Sequence, residues 1–292
     1  MEVLQGRLIR AEDIEWIRAI LSHHPDWHRT RVSREIARAW QWYDATGRLK
    51  DMACRALLLK LERRGDLQLP GRRRAPVNHR RAVDFQPVLH DTTAMEGALA
   101  DLRPIQLLEV EATDHGPLWQ TLLGAYHYLG FRTRVGHSLR YLARDRHQRP
   151  VGCLLFGAAA WRVAARDRFI GWTPAQRQLH LPQVLNNMRL LIPPWVRVPH
   201  LASHLLALAA RQVPADWQRK YGFPLHLLET FVDRTRFSGT CYQAANWHHV
   251  GDTTGRSRQD RHGCLQLPIK AVYLYPLHPR FRERLCQEVL AP

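Results

Sequence analysis

The sequence is short of cysteine and of long apolar runs. Its five cysteines are scattered and never form a CxxC pair, which argues against a disulfide framework or a zinc knuckle and suits a reducing cytosol. No apolar run approaches the roughly 18 residues that a membrane helix needs. The first twenty residues carry four acidic side chains and lack an apolar core, so secretion is not expected. We therefore expect a cytoplasmic protein without a membrane partner.

Acidic residues and lysine are also scarce relative to arginine. Lysine and arginine together number 43 against 26 acidic residues, a formal net charge of +17, and only four of the basic residues are lysines. An excess of this size attracts polyanions, of which nucleic acid is the commonest. Residues 1–82 hold 18 basic and 10 acidic side chains, whereas residues 83–292 hold 25 and 16. This distribution predicts DNA as a partner, and a generally basic, solvated surface is the alternative.

The N-terminal segment has the pattern of a DNA-binding domain. Apolar residues at helical spacing predict helices over residues 11–22, from about 30 to 40 and from about 49 to 64, the third with Met52 and Leu57 facing inward and Gly65 at its end. Leu67 and Leu69 then alternate ahead of a run of arginines. Three helices, a short strand and a basic turn are typical of a winged helix, which places one helix in the major groove and its wing on phosphates. A three-helix protein-interaction domain is the alternative.

The length of 292 residues favours two domains. We predict a winged helix-turn-helix-like DNA-binding domain over residues 1–75, a linker over 76–104 and an α/β domain over 105–292. The predicted DNA contacts are basic side chains of both domains: Lys50, Arg55, Lys60, Arg63, Arg64, Arg72, Arg73, Arg74, Arg234, Arg236, Arg256 and Arg258.

The second domain alternates strands and helices, which indicates an α+β or α/β class with a mixed sheet. A hairpin at 139–143 and 151–157, a buried strand at 184–192, a helix from 201, a strand at 225–232 and a short helix at 242–246 resemble the GNAT acyltransferase fold. In that family the central helix opens with Q/R-x-x-G-x-G/A, whose amides grip the pyrophosphate of coenzyme A.

The corresponding stretch of this sequence is RVPHLA at residues 197–202. It keeps Arg197 and Ala202, but His200 stands where a glycine is needed and Pro199 lacks an amide donor. We therefore expect a GNAT-like fold in which acetyl-CoA is unlikely as a cofactor.

A second resemblance extends over most of the chain. The sequence is similar to the family of the DruA component of the Druantia anti-phage system, whose relatives also occur with bacterial insertion elements. The matching stretches are GRLKDMACR at 47–55, YHYLG at 126–130, RDRFIGW at 166–172, LETFVD at 228–233, GTCYQAANW at 239–247 and GDTTGR at 251–256. This resemblance implies a role in DNA mobility or phage defence, with other defence-system or transposition proteins as partners.

The densest polar cluster runs from Glu229 to Tyr242. Glu229 and Asp233 are four apart near the end of a predicted strand, so they would share one face and could hold Mg²⁺ for phosphoryl transfer, with Asp167 as a third ligand. The alternative is that Asp167 pairs with its neighbouring arginines and that the other two carboxylates accept strand-end hydrogen bonds. Asn186 and Asn187 lie in a predicted hydrophobic strand. We expect one of them to face a pocket or to satisfy neighbouring backbone groups.

Tyr242 has three interpretations. In GNAT enzymes a tyrosine at this place protonates the leaving thiolate. In DNA-rearranging enzymes a tyrosine attacks a phosphodiester and holds the DNA end covalently. The third interpretation is an aromatic side chain that packs beside Trp247.

Together these patterns favour a DNA-binding protein of a mobile element or defence system that cleaves or transfers DNA strands, with Glu229, Asp233, Tyr242 and Asp167 as catalytic residues. Two alternatives stay open. One is a GNAT-type N-acyltransferase acting on a substrate associated with nucleic acid, and the other is a non-catalytic DNA-binding adaptor.

Overall fold

The computed structural model describes residues 2–5, 7–44, 47–71, 86–131, 136–255 and 268–287. The chain divides into two compact units, residues 1–78 and residues 79–292. Within the described ranges, no helix combines the length and the apolar character that crossing a membrane requires.

The first unit is a β-hairpin followed by three helices. Its elements are β1 (Glu2–Leu4), β2 (Arg7–Ile9), α1 (Ala11–His23), α2 (Arg29–Ala39) and α3 (Asp51–Arg64). Its core is mainly aliphatic, with Trp42 at its edge, and takes in Ile17, Ile36, Leu57 and Leu61, which are the helix positions that periodicity turns inward. Gly65 ends α3 in the left-handed conformation (φ +82°), where a glycine carries no steric penalty.

The three predicted helices are present, but the winged-helix assignment is not confirmed. Residues 67–69 form no strand, and the hairpin precedes the helices instead of following them. Met52, predicted to face inward, is 64% exposed. The arginines of the predicted wing, residues 72–74, lie outside the described residues.

The second unit is a mixed α+β structure. Its elements are β3 (Met95–Glu96), α4 (Leu99–Leu102), β4 (Gln106–Glu109), α5 (Gly116–Tyr126), β5 (Ser138–Arg144), β6 (Pro150–Ala158), α6 (Ala164–Ile170), α7 (Pro174–His180), β7 (Val184–Leu191), β8 (Val196–Arg197), α8 (Leu201–Tyr221), β9 (Leu227–Asp233), α9 (Thr240–Ala244), β10 (His248–Asp252), β11 (Lys270–Pro276) and α10 (Phe281–Leu285). Both β3 and α4 fall in the stretch that the sequence predicts as a linker.

Seven strands form one sheet in the order β10-β11-β9-β7-β6-β5-β4, and β3 pairs with β8 apart from it. Helices cover both faces. On one face α8 and α9 pack on β5, β9 and β11. On the other face α5 packs on β5, β6 and β7, while α6 and α10 pack on β9 and β11. This sandwich explains why β6 is an almost unbroken apolar run, since a central strand covered on both sides has no polar face.

The neighbouring strands β7 and β9 are the only parallel pair in this sheet as described, and α8 connects them. Their pairing covers three positions, from Val184 opposite Leu227 to Asn186 opposite Glu229. Beyond these positions the strands continue to Leu191 and Asp233 without pairing to each other. A β-bulge at Met188, the extra residue between Asn187 and Arg189 in the pairing with β6, accompanies this separation.

Candidate active site between the separating strands

A cavity of about 690 Å³ opens where β7 and β9 part. Its walls come from both strands, from the turn after α5 and from the segment that leads into α9; the lining includes residues 126–129, 186–192, 230–233 and 236–242, and Lys270. The cavity is thus formed by the diverging main chains of two adjacent strands. It lies at the carboxyl ends of this parallel pair, which is where α/β sheets place ligand sites.

Tyr242 lies at the inner end of this cavity, between the two strands. Its hydroxyl donates to Asn187 Oδ1 on β7 at 2.7 Å and accepts from Thr230 Oγ1 on β9 at 3.4 Å. Its ring stacks on Tyr273, with centroids 5.8 Å apart, and meets Trp247 edge-on. Burial raises the pKa of Tyr242 well above that of a free phenol, so the hydroxyl keeps its proton at neutral pH.

Gly239 explains how α9 brings Tyr242 to this position. It has φ +78°, and an added Cβ would come within 2.6 Å of the Tyr273 hydroxyl, so a larger residue is excluded by both conformation and space. The close approach lets α9 begin directly against β11, which carries the ring that stacks on Tyr242.

Both asparagines of β7 line the cavity, as the sequence predicts for one of them. Asn187 holds the tyrosine hydroxyl, and its Nδ2 donates to the Arg189 carbonyl at 3.2 Å. Asn186 is buried, and its Oδ1 has no hydrogen-bond partner among the described residues. Because Asn187 points to Tyr242, the Asn186 side chain points to the opposite face of the sheet, which is the face of Glu229.

The carboxylate of Glu229 belongs to a different site from Tyr242. Thr230 contacts Tyr242, and successive side chains of a strand point to opposite faces, so Glu229 faces α6 on the other side of the sheet. There it is fully buried, accepts from the Ala160 amide at 2.7 Å and pairs with Arg166 at 2.8 Å. Burial raises the pKa of Glu229, while Arg166 and the Ala160 amide oppose that rise.

The predicted metal ligands do not converge. Asp167 pairs with Arg166 at 2.8 Å and with Arg177 at 3.2 Å, while Asp233 accepts from both the amide and the hydroxyl of Thr235. Within the described residues no three His, Cys, Asp or Glu side chains gather as a metal site. The alternative interpretation, arginine pairing and strand-end hydrogen bonding, is what the structure shows.

The predicted DNA contacts are dispersed. On α3, Arg63 and Arg64 are exposed, whereas Lys50, Arg55 and Lys60 are half-buried, and the Arg55 Nε is buried without a partner in the described residues. In the second unit Arg234 pairs with Asp252 at 2.9 Å, while Arg236 lies over the Tyr128 ring and lines the cavity. The remaining five, Arg72, Arg73, Arg74, Arg256 and Arg258, lie outside the described residues.

Several cavity residues were not predicted. Arg189 and Lys270 line it but stand alone in the sequence, without a motif that marks them, and His127 lines it from within the YHYLG stretch. Burial and the nearby Arg189 lower the pKa of His127 to about 4, so it is neutral at physiological pH. Tyr128 lies in the YHYLG stretch that the DruA resemblance singles out, so that stretch was the available sequence indication of this wall.

The fold is that of the GNAT-like acyltransferases, as the order of elements predicts. Similar solved structures include spermidine N-acetyltransferase from Vibrio cholerae in complex with CoA and spermine, at 8% identity and a TM-score of 0.40, covering 59% of this chain and 95% of that one. A putative acetyltransferase from Acinetobacter baylyi ADP1 is similar at 14% identity and a TM-score of 0.39, covering 60% and 95%. At these values the likeness concerns the fold alone.

The chain belongs to the DruA family. The model of that family, described as Druantia protein DruA, matches residues 63–284. No curated protein matches the chain by sequence.

These findings correct the leading prediction, DNA strand cleavage or transfer, which is wrong. The solved structures with a similar fold are acetyltransferases. The physical reason lies in β9: Glu229 is neutralised by Arg166 on one face while Tyr242 lies on the other, so the carboxylates and the phenol that the prediction combined never meet.

The expectation that acetyl-CoA is unlikely as a cofactor is also wrong: the similar spermidine N-acetyltransferase structure is a complex with CoA. The expectation of Mg²⁺ stays a prediction, although its three carboxylates do not converge. The departure at His200 is smaller than the sequence indicates, because His200 adopts φ +64° and ψ −1° directly before α8. That is the left-handed conformation a glycine favours, so the backbone turn persists although the glycine does not.

Proposed function

We propose that this chain is a GNAT-type N-acyltransferase that acts in phage defence on a substrate associated with nucleic acid. The observation that carries the proposal is the position of the Tyr242 hydroxyl between the separating ends of β7 and β9, at the inner end of a cavity. A protonated phenol held at this point can serve as the acid of an acyl transfer.

The proton chemistry rests on Tyr242 and Asn187. The raised pKa keeps the phenol protonated, and the 2.7 Å hydrogen bond to Asn187 Oδ1 holds the resting hydroxyl in place. As the acceptor amine forms its bond to the acyl carbon and the carbon–sulfur bond breaks, the hydroxyl would turn from Asn187 and give its proton to the leaving thiolate. The proton that the amine loses would then restore the phenol. A positioned acid contributes typically about 10²–10⁴-fold to rate. The bulge at Met188 supplies a second element, since a bulge leaves main-chain groups out of the ladder where they can stabilise negative charge on an acyl oxygen.

The start of α8 suits the phosphates of an acyl-CoA. This helix is 21 residues long, has no acidic residue in its first turn and has no side-chain cap, so its positive end is available to an anion. Arg197, whose exposed ion pair with Glu96 measures 3.4 Å, precedes it, and Arg103 reaches the first turn, where its Nη2 lies 3.5 Å from His204 Nδ1. Arg197 and Arg103 would hold the phosphates beside the amides of the first turn, and the bound thioester would supply an activated acyl group.

The nucleic-acid part of the proposal rests on charge and family. The net charge of +17 favours polyanions, and a DruA relationship favours phage defence. Affinity for DNA should fall steeply with salt as condensed counterions are released.

Calorimetric titration with CoA tests the acyl-donor site. We expect a micromolar dissociation constant, and a loss of at least fivefold in Arg103→Ala or Arg197→Ala, since each removes one charge-assisted contact. Arg282→Ala is the matched control, because that exposed arginine lies over Phe169 and Phe281, away from α8. An absence of heat with CoA, or equal affinity in all variants, would contradict the proposal.

A further inference from the structure

The rim of the cavity is formed by the exposed residues Tyr128, Arg236 and Phe237. We infer that this rim binds a nucleobase together with its phosphate, so that the acceptor of the proposed acyl transfer is a nucleotide unit; the inference rests on the proposed function. Two features of the lining carry it: an exposed aromatic rim and an excess of positive charge.

The rim presents aromatic surface to solvent. Phe237 is 51% and Tyr128 is 37% exposed, and their rings lie 5.4 Å apart with a tilt of 58°. Exposed aromatic side chains that adjoin one another at a cavity mouth offer a flat surface on which a base can stack, whatever its sequence. Leu129, also exposed, extends the same surface.

Positive charge lies directly beside this surface. The exposed Arg236 guanidinium lies over the Tyr128 ring at 4.9 Å. Among the described residues that line the cavity, Lys270 and Arg189 are also basic and Asp233 is the one acidic side chain. An excess of basic side chains beside stacking rings matches a base that carries a phosphate.

The same charges exclude a polyamine. Spermidine and spermine are polycations, and a site for them needs acidic walls. Here the one carboxylate is occupied by Thr235, while Arg189, Arg236 and Lys270 would repel the ligand. This chain therefore shares a fold with spermidine acetyltransferases but not the chemistry of their acceptor.

The geometry of the rim also fits the proposed acyl transfer. A base stacked on Tyr128 and Phe237 would carry its phosphate near Arg236, and an amino group of the base would form the new bond to the acyl carbon as the thioester bond breaks. The cavity of about 690 Å³ is large enough for a nucleotide unit.

The test compares strands with and without bases, using the full chain. An eight-residue oligodeoxynucleotide and an abasic oligomer of equal length carry the same phosphates, so the ratio of their affinities isolates base recognition. We expect the normal strand to bind at least tenfold more tightly, and Phe237→Ala to reduce that ratio about tenfold. Trp161→Ala is the matched control, because Trp161 is equally exposed at 51% and lies near Arg177 but does not line the cavity.

Photocrosslinking locates the base. A strand carrying 5-iodouracil should crosslink to Tyr128 or Phe237, and a mononucleotide should compete if a free nucleotide suffices, whereas competition only by oligomers identifies a strand. Crosslinks confined to residues 1–78, an unchanged ratio in Phe237→Ala, or spermidine binding abolished by Asp233→Asn would each overturn the inference.

CoA titration of the same preparations separates the two proposals. Base recognition without CoA binding contradicts the proposed acyl transfer and leaves the base site standing. CoA binding without base recognition contradicts the base site alone.

Discussion

Two polar clusters meet strand β9 from opposite faces, and they differ in whether they border open space. On one face Glu229, Arg166 and Asp167 form a buried network in which each carboxylate has protein partners. On the other face Tyr242 and Asn187 border a cavity of about 690 Å³. The first cluster is enclosed by protein, whereas the second faces space that a ligand can fill.

Polar residues that are close in sequence therefore do not by themselves define a functional site. Glu229 and Thr230 are neighbours, yet one belongs to the network and the other contacts Tyr242, because a strand alternates its faces. The charged residues form the enclosed network, whereas neutral polar groups border the cavity.

The largest effect is expected from breaking the buried network. Arg166→Met leaves Glu229 buried without its partner and should lower the free energy of unfolding by about 3–5 kcal/mol, whereas the double variant Arg166→Met with Glu229→Met should recover much of that loss. Urea unfolding followed by circular dichroism measures both.

Arg234→Met is the control for this experiment, since its ion pair with Asp252 is exposed and should contribute less than about 1 kcal/mol. If Glu229→Gln abolished acyl transfer without altering stability, the division between a structural and a functional cluster would fail.

A second effect should appear on the cavity side alone. Tyr242→Phe removes the proton donor and should reduce the rate of acyl transfer by about a hundredfold or more, while CoA affinity stays within about twofold. A free-thiol assay under single-turnover conditions measures the rate. Tyr275→Phe, which alters a phenol near Trp247, is the control, and equal rates in the two variants would remove Tyr242 from the chemistry.

The smallest effect is a pH dependence from His127. Its pKa is about 4 in the folded protein against 6.5 for a free side chain, so the folded state resists protonation. The associated stability is fully present above pH 6.5 and is lost as pH falls toward 4, by about 1 kcal/mol once solvent screening of this partly exposed group is allowed for. Thermal melts of the wild type and of His127→Gln between pH 4 and pH 7 should converge at the acid end; parallel curves would contradict the assignment.

The sequence predicted much of the second unit, because its strands and helices follow from strong periodicity. The hairpin of β5 and β6, the buried β7 and the start of α8 all lie within two residues of their predicted ends. The site was harder to predict, since the separation of β7 from β9 depends on where their pairing stops. No local pattern around Asn186 or Glu229 encodes that point.

Two details show how a sequence pattern can mislead, one by understating a site and the other by overstating one. RVPHLA at residues 197–202 departs from the family motif, yet the backbone at His200 keeps the turn that a glycine would make. Glu229 fits a catalytic pattern, yet its partner Arg166 lies 63 residues earlier and reaches it only in the folded sheet.

The separation of β7 and β9 also bears on how this protein can be altered. A cavity opened by two diverging main chains is not closed when side chains along its walls are exchanged, so the volume should persist through many substitutions. The rim residues Tyr128, Arg236 and Phe237 are exposed and belong to neither strand, so they are open to redesign at little cost to folding. Selection, in nature or in the laboratory, could therefore change what this scaffold accepts while the position of Tyr242 stays constant.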